Sequence, residues 1–116
     1  DWNMVLNRQG GPNWFKNWCV APVIVDAEKD EVYLTPLYYV MAHFSKFMRP
    51  GATKIGCDIN SKDLVSTAVQ NLDGSIAIAI FNPTANPQTI AIKLNNKTNI
   101  ISINANGLQT VVLKSI

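Results

Sequence analysis

Charge is scarce in this chain of 116 residues and nearly cancels: ten Lys and Arg against eight Asp and Glu leave a net charge of +2. The basic residues are scattered, and the aromatics sit mainly before Tyr39 and do not alternate with lysines along a strand, so a nucleic-acid partner is not expected. There is one histidine, His43, too few for a His-rich metal site, and the two cysteines, Cys19 and Cys57, have neither zinc nor CxxC spacing. No disulfide framework, metal or cofactor is therefore expected, and the thiols read as buried or idle. No apolar run approaches the about 20 residues that a bilayer-spanning helix needs. The longest, Ile76 to Phe81, has the length of a buried strand, so no transmembrane segment is expected. No signal peptide is recognisable, yet Asp1 is not an initiator methionine and Trp2 already opens an apolar stretch, so a further part upstream is expected. From Gly74 to Ile116 there is no Asp or Glu, and only Lys93, Lys97 and Lys114 carry charge. So few charged gatekeepers on so β-prone a stretch imply strand edges that are covered.

What is present divides at Pro50. From Asn7 to Asn17 the run Asn-Arg-Gln-Gly-Gly-Pro-Asn-Trp-Phe-Lys-Asn precludes a regular element, because Gly10, Gly11 and Pro12 punctuate the backbone. Val23 to Asp26 and Glu31 to Leu34 are short β-prone runs joined by a polar turn, which predicts an antiparallel hairpin. Thr35-Pro36 supplies an N-cap and a first-turn proline, and Leu37, Val40, Met41, Phe44, Phe47 and Met48 recur at helical spacing up to the stop at Pro50-Gly51. Lys46 and Arg49 in the last turn complement the helix dipole. A loop and a hairpin are too little to cover a helix face of that apolarity, so its partner surface is expected elsewhere.

After Gly51 the apolar period changes to two. Strands are predicted at Ala52 to Ile59, Leu64 to Asn71, Ser75 to Phe81, Thr89 to Leu94, Asn99 to Ile103 and Gln109 to Leu113, with turns at Leu72-Asp73-Gly74, Asn82 to Pro87 and Asn104 to Gly107. Six such strands predict an antiparallel β-sandwich. Ile76, Ile78 and Ile80 mark one face of a strand whose other face, Ala77, Ala79 and Phe81, is also apolar, which places that strand mid-sheet. The fold class is mainly β, with residues 1–50 and 51–116 as its two parts.

Few side chains suggest catalysis. No nucleophile elbow, phosphate loop or calcium loop is present, and His43 reads as a hydrogen-bonded packing residue. Retaining glycoside hydrolysis needs two carboxyl groups about 5 to 5.5 Å apart, but Glu28, Asp30, Glu31, Asp58, Asp63 and Asp73 all read as turn residues and Asp26 as a structural acceptor. The dense set Trp2, Asn3, Asn13, Trp14, Asn17 and Trp18 around Gly10-Gly11-Pro12 stands apart. Indole faces stack on the C–H surface of a sugar and Asn amides both donate to and accept from hydroxyls, although tryptophans anchoring an irregular loop would give the same composition.

These residues carry a resemblance. Trp2-Asn3 with Leu6, Gly10-Gly11-Pro12-Asn13-Trp14, Asn17, Pro22-Val23-Ile24-Val25-Asp26, Pro36 with Tyr38-Tyr39, and His43-Phe44-Ser45-Lys46-Phe47 with Pro50-Gly51 form an ordered signature. It resembles the C-terminal end of glycoside hydrolase family 30, in its glucosylceramidase-like branch. The resemblance implies that Trp2-Asn3 ends the eighth strand of a (β/α)₈ barrel, that Thr35 to Arg49 is the eighth helix, and that residues 51–116 are the accessory sandwich. It implies that Trp2 lines the subsite of the cleaved sugar and that Asn17, Trp18 and Cys19 form part of the cleft rim. The acid/base and nucleophile glutamates would lie upstream, on an N-terminal barrel that is this chain's first partner.

The implied substrate is a β-glucoside or glycolipid, and the substrate class points to an extracellular or secreted setting. Trp18-Cys19 stands where lysosomal glucosylceramidases carry Phe-Val, which leaves ceramide and oligosaccharide leaving groups both open. The resemblance implies that strands from the start of the full-length chain complete the sandwich, so uncovered edges and self-association through them are expected of this chain alone. A rival reading, a free-standing carbohydrate-binding or interaction module, leaves the barrel-helix signature unexplained.

Overall fold

Short apolar runs separated by turn residues become nine β-strands and one α-helix in a computed structural model that describes residues 3–12, 15–16 and 18–114. By contacts the chain forms two units, Asp1–Ala42 and His43–Ile116, whose division falls inside the helix.

The first unit holds a three-stranded sheet in the order β1 (Val5–Asn7), β2 (Val23–Asp26), β3 (Glu31–Leu34). β2 and β3 form the expected antiparallel hairpin, with Val23 opposite Leu34 and Asp26 opposite Glu31. β1 runs parallel to β2, with Val5 opposite Val23. It was not expected as a strand, because three residues paired to a segment across a long loop leave no local periodic signal. Leu6, Ala21 and Pro22 are the buried apolar side chains here among the described residues. Polar ties carry the rest: Asp26, only 2% exposed, accepts hydrogen bonds on Oδ1 from the amides of Glu28 (3.2 Å) and Lys29 (3.4 Å) and on Oδ2 from Arg8 Nη1 (3.1 Å). That is the structural acceptor role expected of Asp26, closing the hairpin turn through its own side chain.

α1 (Pro36–Phe47) begins at the first-turn proline as expected. Its cap differs from the expectation. The Thr35 hydroxyl donates backward to the carbonyls of Pro22 (3.0 Å) and Ala21 (3.2 Å), and the Thr35 carbonyl accepts the Tyr38 amide (3.0 Å). Thr35 thereby fastens the helix start to the residues that lead into β2 and leaves the helix amides without its side-chain oxygen. At the other end Arg49 Nη1 donates to the Ser45 carbonyl (2.8 Å), the role predicted for a cation in the last turn. None of the helix residues is buried, and Val40 and Phe44 on the apolar stripe are exposed.

The second unit is a β-sandwich. One sheet has the order β4 (Thr53–Ile55), β5 (Val65–Gln70), β6 (Ile76–Asn82), β9 (Gly107–Leu113), all antiparallel, and the other is the hairpin β7 (Gln88–Leu94) and β8 (Lys97–Ile103). β6 lies mid-sheet between β5 and β9, as its two apolar faces required. Ala68, Ile78, Ile80 and Ile103 form the core, with Ile90, Ile92 and Ile101 of the hairpin packed on it. Fully burying an isoleucine such as Ile80 or Ile103 contributes about 1.5–3 kcal/mol. On the opposite face of β6, Ala77 and Ala79 are buried, and the last turn of α1 meets β9 through His43 Nδ1 and Thr110 Oγ1, 2.8 Å apart. The histidine is thus hydrogen-bonded in packing.

Asn71 holds the junction. Its Nδ2 donates to the Phe47 carbonyl and to Ser75 Oγ, both at 3.0 Å, and its Oδ1 accepts the Arg49 amide (3.1 Å), so one side chain caps the helix end and braces the β5–β6 hairpin. The predicted strand over 52–59 shortens to Thr53–Ile55, because Asp58, Asn60 and Ser61 lead into turns before Leu64. Among the described residues, β4, β7, β8 and β9 each pair on one side only, so the edges expected to be covered are not paired within this chain.

Candidate functional site

The loop after β1 is wound around Asn7. Its Oδ1 accepts the amides of Gln9 (3.0 Å) and Gly11 (2.8 Å), its own amide donates to the Gly11 carbonyl (2.7 Å), and its carbonyl accepts the Gly10 amide (3.0 Å). This concentrates the turn in Gly10-Gly11, and the Gly11–Pro12 peptide is cis. Asn7 was expected only as the start of an irregular loop. An Asn whose side chain can bond amides two and four residues on was the available signal for its role.

Gly10 carries a φ of +71°, and a Cβ built there would stand 2.6 Å from the amide nitrogen of Cys19 and 3.1 Å from the Cα of Trp18. The loop therefore presses bare backbone against the Trp18-Cys19 segment, a contact only glycine permits. Behind the loop, Arg8 reaches the buried carboxylate of Asp26 and ties it to the hairpin.

On this support Trp18 projects into solvent at 75% exposure, Phe15 is likewise exposed at 76%, and Cys19 is exposed with a free thiol. Of the two expected readings, buried or idle, Cys19 is not the buried one, and its neighbours in this segment, Trp18 and Val20, are also exposed; the half-buried Cys57 Sγ lies 3.3 Å from Ser66 Oγ. Trp2, Asn13, Trp14 and Asn17 lie outside the described residues. An exposed indole on a backbone-locked loop can stack on an apolar sugar face without first unpacking from a core.

Among the described residues, no group of three or more His, Cys, Asp or Glu side chains could hold a metal ion. Glu31 accepts a hydrogen bond from the Tyr33 hydroxyl. That bond, followed by burial and the nearby Glu31 charge, holds the phenol above its ordinary pKa. Asp73 sits in the β5–β6 turn, where the Ser75 hydroxyl (2.6 Å) and amide (2.9 Å) donate to it and hold its carboxyl below the usual range.

Comparisons with known proteins meet this geometry from both ends. The chain is 38% identical over 93 residues to "Lysosomal acid glucosylceramidase" of Mus musculus, covering 79% of this chain and 18% of that protein. It is 38% identical over 120 residues to "Putative glucosylceramidase 4" of Caenorhabditis elegans, covering 98% of this chain and 23% of that protein. The crystal structure of SrfJ from Salmonella typhimurium superposes with a TM-score of 0.94 at 27% identity, over 100% of this chain and 26% of that one. The chain thus spans about a fifth to a quarter of the proteins it resembles. Residues 1–48, with the glycine-locked loop, match the glycosyl hydrolase family 30 TIM-barrel domain, and residues 51–111 match the family 30 beta sandwich domain; the chain belongs to glycosyl hydrolase family 30.

Proposed function

We propose that this chain is the C-terminal portion of a retaining β-glycosidase of the glucosylceramidase type, and that it supplies a wall of the substrate cleft and the accessory β-domain. The observation that carries the reading is the 38% identity to two glucosylceramidases across both parts of the chain. The helix supports it physically. An amphipathic helix with no buried residue calls for an apolar surface beyond the three-stranded sheet that precedes it, and the remainder of a barrel is such a surface. In this reading residues 1–50 are the terminal βα unit of the barrel and residues 51–116 are the sandwich. The unpaired edges of β7 and β8 then take further strands of the same protein, and in isolated chains they pair with one another.

Retention requires one carboxylic acid to protonate the leaving oxygen and a second to attack the anomeric carbon from about 5 to 5.5 Å away. Both glutamates belong upstream. The work of this chain is positioning: Trp18 offers its indole face at the cleft rim, Trp2 and Asn17 complete the sugar contacts, and Gly10 fixes the height of the rim by its contact with Cys19. β-Glucosides such as glucosylceramide are the substrates this reading assigns.

The test is steady-state kinetics of the full-length enzyme on glucosylceramide and on a β-1,6-linked glucan. Trp18→Ala is expected to raise KM roughly two- to tenfold, in line with about 0.5–1.5 kcal/mol for an aromatic contact, with kcat nearly unchanged. The purified 116-residue chain is expected to release no product. Turnover of an aryl β-glucoside by that chain, or a Trp18→Ala enzyme with unaltered KM on both substrates, would count against the reading.

A further inference from the structure

The turn of the β7–β8 hairpin carries a feature that glycoside hydrolysis leaves unused. Leu94 pairs with Lys97, so the turn is the two residues Asn95 and Asn96, and Asn95 takes a φ of +52°. Two-residue hairpin turns demand such a conformation, and asparagine tolerates it better than other side chains with a Cβ. Asn96 is followed by Lys97 and Thr98, which makes Asn-Lys-Thr an Asn-x-Thr acceptor sequence for N-glycosylation. Asn96, Lys97 and Thr98 are all exposed, and among the described residues neither the Asn96 side-chain amide nor the Thr98 hydroxyl has a hydrogen-bond partner.

Asn82 provides an internal contrast. It too is followed by a threonine two residues on, but Pro83 between them forbids the acceptor conformation. Its side chain is fully buried and committed: Nδ2 donates to the carbonyls of Asn86 (2.8 Å) and Asn104 (3.0 Å), and Oδ1 accepts from the amide (3.1 Å) and hydroxyl (2.8 Å) of Thr84. One of the two asparagines is locked into the fold, and the other stands free at a turn. Space is available as well, because Asn96 lies on an open groove of about 670 Å³ at the end of the sandwich, shared with Gln70, Leu94 and Lys97.

We propose that Asn96 is a site of N-linked glycosylation, carrying an oligosaccharide that projects from the tip of the β7–β8 hairpin. The donor is a polyprenyl-diphosphate-linked oligosaccharide of the secretory pathway. Asn96 Nδ2 forms a bond to the anomeric carbon of the first sugar, the bond from that carbon to the diphosphate oxygen breaks, and one amide proton is released as the lipid diphosphate leaves. The transfer is redox-neutral. A bulky, hydrophilic group at this turn sits beside a hairpin whose two edges are unpaired and whose only charges are Lys93 and Lys97. The inference does not depend on which glycoside the parent enzyme cleaves, so either reading can fail without the other.

The experiment is peptide mapping of the full-length protein secreted by a eukaryotic host, with peptide-N-glycosidase digestion in ¹⁸O-labelled water. The peptide containing residues 88–103 is expected to return with Asn96 converted to ¹⁸O-labelled Asp. Asn96→Gln and Thr98→Ala are each expected to lower the mass of the intact protein by one glycan, while Thr98→Ser keeps it. Two variants at separate positions guard against loss of secretion by either one. Secreted protein in which Asn96 is recovered unmodified, or a glycan that persists in both Asn96→Gln and Thr98→Ala, overturns the proposal.

Discussion

The two units of this chain are built on different balances of forces. In His43–Ile116, alternation of apolar residues on β6, β7, β8 and β9 closes a core of isoleucines between two sheets. Among the described residues of Asp1–Ala42 few side chains are buried, and those include the carboxylate of Asp26; hydrogen bonds that involve Asn7, Arg8, Asp26 and Thr35, and one glycine pressed to a backbone, hold them in place. A core that excludes water is largely indifferent to what lies beyond it. A polar framework positions a loop well but contributes little net stability, since each bond replaces one to water and yields about 0.5–1.5 kcal/mol. In the proposed reading the first unit supplies the substrate-facing edge and the second the scaffold.

The largest effect is expected from opening the core. Ile103 is 1% exposed and packs with Ile78 and Ile80, so Ile103→Ala is expected to cost about 2–5 kcal/mol, transfer and cavity terms together. A urea titration followed by near-ultraviolet circular dichroism would read it. A change below about 1 kcal/mol would show that the sandwich is not held by this core.

Gly10→Ala probes the other unit. Forcing a Cβ into the left-handed region costs about 1–2 kcal/mol, and the 2.6 Å approach to the Cys19 amide adds a displacement of the rim. In the full-length enzyme, KM is expected to rise more than the melting temperature falls. A variant with an unchanged KM would mean that the Trp18-Cys19 segment is positioned by something other than this contact.

The smallest effect concerns pH. The Asp73 carboxyl is held below its ordinary value of 3.8 by the donors of Ser75. A carboxyl depressed in the folded state contributes stability that is fully present above the unfolded pKa and is lost as pH falls through the folded value. Asp73→Asn keeps an uncharged acceptor, so the difference in urea midpoint between it and the wild type is expected to be constant from pH 5 to 7 and to shrink below pH 3.8. Because the group is solvent-exposed, the effect should be slight and weakened by salt. A difference that persists unchanged below pH 3 would remove the charge from the account of this turn.

Much of the architecture was legible before any coordinates. The hairpin Val23–Asp26 with Glu31–Leu34, the helix beginning at Pro36, and the central place of β6 follow from turn residues, a first-turn proline and the two apolar faces of Ile76 to Phe81. The candidate site was legible in composition more than in arrangement. Trp18 and Cys19 stood out by residue type and resemblance, whereas the Gly10 backbone contact that supports them joins residues with no periodic relation.

Local chemistry, by itself, determined where this chain turns, where its helix starts and stops, and which strand lies innermost, because caps, prolines and alternation act within a few residues. Tertiary structure alone decided that Val5–Asn7 pairs in parallel with a distant strand, that the Thr35 hydroxyl turns away from its helix, that Asn71 joins helix to hairpin, and that Asn82 is locked while Asn96 is free. In each case the partner lies across a loop or in another element. A hydrogen bond goes to the group that is nearest in space, and distance along the chain does not specify which group that is.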